Sequence, residues 1–106
     1  MNDFIKLLSD LEKQPLLFIN KKDISLLNAF ITGYLLNDIF RNNKRPNYDF
    51  RSSFSEWLKE KYNFEQELSW AEYLNSLSKY ESLNAVDLFF REFHIFQKET
   101  NNYYGI

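Results

Sequence analysis

The sequence predicts an all-α fold: a compact single-domain bundle of about five helices spanning residues 1–106. Three observations predict it. Apolar residues recur with a 3.6-residue period in five separate stretches, no convincing alternating strand pattern occurs, and the chain is one domain's length at 106 residues. Hydrophobic residues make up 44% and aromatics 19%, a globular rather than disordered composition. A chain this short has little core to spare, and large aromatic side chains raise the apolar area it can bury.

The first helix is read in "NDFIKLLSDLEKQ", where Phe4, Leu7, Leu8 and Leu11 share one face, Asn2 or Asp3 can cap the start and Pro15 stops the end. "PLLFINKKD" reads as a buried connector, with a brief strand as the alternative. The second helix, "DISLLNAFITGYLLNDIFRNN", is expected to be the most buried. Asp23 or Ser25 can start it. Leu27, Phe30, Ile31, Tyr34 and Leu35 form a stripe, and Leu36, Ile39 and Phe40 widen it. Gly33 costs roughly 1 kcal/mol relative to alanine at mid-helix, so close approach of a neighbour is expected there.

"NNKRPNYD" is the clearest loop. The third helix runs through "SSFSEWLKEKYN", with Ser53 and Glu56 at capping-box spacing and Phe54, Trp57, Leu58 and Lys61 following the period. The fourth begins at "SWAEYLNSLS", where Ser69 and Glu72 repeat that spacing and Trp70, Tyr73, Leu74 and Leu77 face one way. Both tryptophans read as core. The fifth helix, "SLNAVDLFFREFHIFQKETN", carries a core stripe of Leu83, Val86, Phe90, Phe93 and Phe96 or Gln97. The tail, about residues 101–106, has no period and is expected to fray.

Most catalytic chemistry lacks its residues, and no enzymatic activity is expected. There is no cysteine, which excludes disulfides and thiolate metal sites and fits a reducing cytoplasm. One histidine, His94, rules out histidine-pair metal sites, and its position at the edge of the fifth helix reads as a boundary residue. The two glycines are isolated, so no phosphate-cradling loop exists, and no cofactor or metal is expected. The charged start "MNDFIKLLSDLEK" argues against a signal peptide, and no apolar run approaches the roughly 18 residues of a membrane span.

Charge is unevenly placed. Residues 1–54 carry eight Lys/Arg against six Asp/Glu, and residues 55–106 carry five against nine. An acidic second half argues against nucleic acid and suits a basic protein partner, with a solvated acidic surface as the alternative. Glu56 and Glu72 read as capping residues, whereas Glu65 and Glu67, in "NFEQE", have no such role. On the fifth helix Leu88 and Ile95 stand opposite Val86, with Glu92 and Glu99 beside them. A second layer of helix packing or a contact with a basic partner would each explain them. The residues expected to bind a partner are therefore Glu65, Glu67, Leu88, Glu92, Ile95 and Glu99.

An ordered set of features spans residues 14–96: "QPLLFINKKDISLLNAFITGY", "FSEWLKEKYN", "SWAEYL" and "AVDLFFREFHIF". As a set it resembles the small bacterial immunity proteins of contact-dependent growth inhibition and related polymorphic toxin systems. The resemblance implies a cytoplasmic, non-catalytic protein that binds the C-terminal domain of one cognate toxin and occludes its active site or substrate groove. Toxin domains of this kind are often nucleases, hence basic. A small helical adaptor or regulatory subunit that binds another host protein is the alternative.

Overall fold

The computed structural model describes residues 3–42 and 50–100. Five α-helices follow one another: α1 (Asp3–Lys13), α2 (Ile24–Asn42), α3 (Phe50–Tyr62), α4 (Trp70–Glu81) and α5 (Ala85–Glu99), with a 3-10 turn (Pro15–Leu17) between α1 and α2. Among the described residues there is no strand, and the fold is the all-α single domain that the periodicity predicts. The loop expected around Pro46 and the tail from 101 lie outside the described residues.

The centre is aromatic. Phe54 on α3 is fully buried and stacks on Phe50 at 5.2 Å. Its ring also meets Trp70 of α4 and Phe89, Phe93 and Phe96 of α5. Phe4 of α1 closes the cluster against Phe50 at 5.1 Å. Such pairs contribute roughly 0.5–1.5 kcal/mol each beyond the area they bury. Most of the aromatic richness thus serves the core. Trp70 is buried as expected, while Trp57 is half-buried, its ring against Phe54 and Phe96 and its Nε1 donating to Glu99 Oε1 at 3.0 Å.

The most buried helix is α5, not α2. It packs against α2, α3 and α4, and Ala85, Val86, Leu88, Phe89, Phe90, Glu92, Phe93 and Phe96 are all buried. With neighbours on several sides, positions roughly 200° apart on the wheel, such as Val86 and Leu88, are both covered. On α2 only Ile24, Leu27 and Ile31 are buried among the described side chains; Phe30 and Tyr34 are half-buried and Phe40 is exposed. Nothing lies within 4 Å of a Cβ placed on Gly33 among the described residues, so no close approach explains that glycine.

Local signals set the helix ends. Asp23 starts α2, its Oδ1 accepting from the backbone N–H of Ser25 at 2.8 Å and of Leu26 at 3.2 Å. Ser69 and Glu72 form the predicted capping box at α4. Asn84 caps α5 by accepting from Val86 N, so Leu83 stands before the helix and is 47% exposed instead of core. The second capping box does not form. Helix α3 already begins at Phe50, which places Ser53 and Glu56 inside it, where backbone N–H groups are satisfied by the helix itself. The "PLLFINKKD" connector is neither strand nor uniformly buried: Ile19 is buried beneath the 3-10 turn, but Leu16 and Leu17 are exposed.

Candidate protein-binding surface

Moving the start of α3 to Phe50 releases Glu56 from a capping role. Its side chain lines a cleft of about 590 Å3 bounded by α2, α3, the 65–69 loop and the first turn of α4. Helix α2 contributes Asn28 and Thr32, one turn apart and hydrogen-bonded at 3.4 Å. Arg51, Ser52 and Ser55 accompany Glu56 from α3, and Glu67, Leu68, Ser69, Trp70 and Tyr73 complete the wall.

The acidic loop is held from within. The Tyr73 hydroxyl donates to the Gln66 carbonyl at 2.6 Å and accepts from Leu68 N at 2.9 Å. Phe64 stacks on the Tyr73 ring at 4.5 Å, and its backbone N–H donates to the Lys59 carbonyl at 3.0 Å. With both ends fixed, Glu65 and Glu67 are displayed at defined positions in solvent. Lys59 reaches across to bond Glu67, and this hydrogen bond raises its pKa above the ordinary 10.5, with the charges of Glu67 and Glu56 adding to the effect. Glu60, one turn after Glu56, and Glu72, in the capping box, are exposed but do not line the cleft. Of the charged side chains that line the cleft, the two acids Glu56 and Glu67 outnumber Arg51, and Glu67 is paired with Lys59.

The six residues expected from sequence do not form one surface. Glu65 and Glu67 belong to the cleft and its loop. Glu99 is exposed at the end of α5 and accepts from Trp57, at the α3–α5 seam. Ile95 is half-buried. Leu88 and Glu92 are each 1% exposed and are corrected to the interior, so the second layer of packing accounts for both. Glu92 accepts from Lys61 Nζ at 2.7 Å and from Arg91 Nε at 3.0 Å, and Arg91 in turn grips Glu81 through both terminal nitrogens. Glu56 and the hydroxyl-lined α2–α3 wall were missed by sequence reasoning. The signal that could have found them is Phe50, whose spacing to Phe54 and Leu58 (i, i+4, i+8) already extends the helix backwards.

Comparison with protein-family models, with characterised proteins and with solved structures gave no match. The site must therefore be read from its own chemistry. His94 Nε2 lies 2.9 and 3.1 Å from the two carboxylate oxygens of Glu12, tying α5 to α1 at an exposed position. Among the described residues no group of three His, Cys, Asp or Glu is placed to hold a metal ion. No helix among them is long and apolar enough to cross a membrane.

Proposed function

We propose that this chain is a cytoplasmic immunity protein that neutralises the basic C-terminal domain of a cognate toxin, a nuclease, by docking on it without catalysis of its own. The observation that carries the reading is the acidic cleft: Glu56 and Glu67 line one cavity with Arg51, and Glu65 is exposed on the loop that supplies Glu67. A nuclease groove is basic because it binds phosphates, and a surface of opposite sign competes for it directly. Long-range attraction raises the encounter rate, and desolvation of a few contacts then sets the lifetime of the complex. The hydroxyls of Thr32, Ser52, Ser55 and Ser69 supply acceptors for a lysine or arginine that enters the cleft. The likeness of residues 14–96 to immunity proteins supports the same reading.

The test is an inhibition titration with the C-terminal domain of the neighbouring gene's product, which this reading expects to be the toxin. Toxin activity is expected to fall linearly to near zero at one equivalent. Undiminished activity in the presence of excess folded protein rejects the reading, and capture of a different host protein in its place favours an adaptor.

A further inference from the structure

The loop that carries Glu65 and Glu67 is closed at both ends by the helices it joins. At its start Asn63 takes the left-handed conformation that asparagine tolerates, with φ at 57°. The N–H groups of Asn63 and Phe64 turn back to the carbonyls of Glu60 and Lys59 at 3.3 and 3.0 Å, which ends α3. At the other end the Ser69–Glu72 capping box opens α4. Between these caps, Glu65, Gln66, Glu67 and Leu68 make no backbone-to-backbone hydrogen bond among the described residues. A side chain supplies the bonds instead. The Tyr73 hydroxyl takes the Gln66 carbonyl and the Leu68 N–H, one residue to each side of Glu67. Tyr73 is 1% exposed and its ring is stacked on Phe64, so the oxygen is held in place. Core packing at this position needs only the ring, whereas the two loop bonds need the oxygen.

We propose that Tyr73 is a positioning residue for partner docking: its hydroxyl presets the loop on either side of Glu67, so that Glu65 and Glu67 meet the partner on a backbone already ordered. The inference rests on the docking role proposed above and adds to it a residue that carries no charge. Ordering a free loop during docking costs conformational entropy, and a loop ordered in the folded protein has lost that entropy beforehand. Tyr73 therefore acts through the loop acids, and its effect on binding is separable from theirs. Changing an acid alters the charge that the partner meets; removing the hydroxyl alters only how firmly that charge is held.

Tyr73→Phe keeps the ring and removes the oxygen. Amide hydrogen exchange and relaxation on the full chain read the loop without a partner. The Leu68 amide should lose protection, and the order parameters of Glu65, Gln66 and Glu67 should fall, with α5 unchanged. Calorimetric titration with the C-terminal domain of the neighbouring gene's product then reads docking, at a temperature where wild type and variant are both folded. The variant is expected to bind about tenfold more weakly, the loss of about one hydrogen bond's worth of order. Its salt dependence should match the wild type's, because no charge has changed. A merely structural role would lower the melting temperature and leave the affinity of the folded variant unchanged. That result overturns the inference, as does a loop as ordered in Tyr73→Phe as in the wild type. Should Tyr73→Phe not fold, Phe64→Leu, which removes the stack behind the hydroxyl, carries the same expectations. Failure of the wild type to bind is a different result: it removes the docking role and this inference with it, whereas equal binding by wild type and Tyr73→Phe removes the inference alone.

Discussion

Lys61 Nζ donates to Glu92 Oε1 at 2.7 Å, joining α3 to α5 at a carboxylate only 1% exposed. The lysine faces an aromatic wall, its nitrogen lying 4.9 Å from the Trp57 ring and 5.2 Å from that of Tyr62. Cutting away one partner of a buried pair leaves its counter-charges uncompensated. Lys61 and Arg91 retain some access to water, which softens the loss. Glu92→Ala is expected to destabilise the fold by about 3 kcal/mol, the lower end for a buried pair. Urea unfolding of the variant and the wild type measures it.

The same network predicts an alkaline limb. Burial lowers the Lys61 pKa, but the hydrogen bond and charge of Glu92 outweigh it and hold the ammonium above its ordinary 10.5. Burial raises the Tyr62 phenol above 10.0, and Glu92 raises it further. Both groups bind their protons more tightly in the folded state. Their contribution is therefore complete below the ordinary values and lost as pH rises through the folded ones. The melting temperature should fall on going above pH 10.0 to 10.5, and Lys61→Met should flatten that fall.

The two serines at S-x-x-E spacing should behave differently. Ser69 accepts from Glu72 N at 3.2 Å, and Glu72 accepts in return from Ser69 N at 3.1 Å. Ser69→Ala is expected to cost about 1 kcal/mol. Ser53 lies inside α3, so Ser53→Ala should fall within about 0.5 kcal/mol of the wild type. Thermal unfolding of the pair decides whether α3 starts at Phe50 or at Ser53.

Gly33→Ala tests the open space on α2. A mid-helix alanine is preferred to glycine by about 1 kcal/mol, and no described atom stands in the way of the added methyl group. The melting temperature should rise by roughly 4–8 °C, the shift that 1 kcal/mol gives in a domain of this size. A fall would show that α2 is approached more closely than the structure places it.

The helices were legible because burial leaves a periodic trace. Phe4, Leu8 and Leu11, Phe54 and Leu58, and Trp70, Tyr73, Leu74 and Leu77 were assigned to buried faces from spacing alone and are buried. Errors arose where a pattern has two physical sources. Ser53 and Glu56 match a capping box, yet the spacing of Phe50 to Phe54 carries the helix past them. Leu88 and Glu92 match an exposed stripe, yet α5 is surrounded, and spacing along one helix does not report what its neighbours cover. The same misreading hid Glu56 from the candidate site, since a residue assigned to capping is not sought in a cleft. Glu65 and Glu67 were found because their loop gave them no competing role.

The central claim, that the acidic cleft docks a basic toxin domain, is tested most directly by calorimetric titration. The C-terminal domain of the neighbouring gene's product is titrated with the wild type and with Glu56→Lys/Glu65→Lys/Glu67→Lys, each at low and high salt. The account predicts 1:1 binding by the wild type that weakens as salt is added. It predicts at least about 100-fold weaker binding by the triple variant, the loss expected when desolvated charge pairs worth about 3 kcal/mol are reversed, and little remaining salt dependence. Wild-type affinity retained by a folded triple variant at low salt would contradict the account.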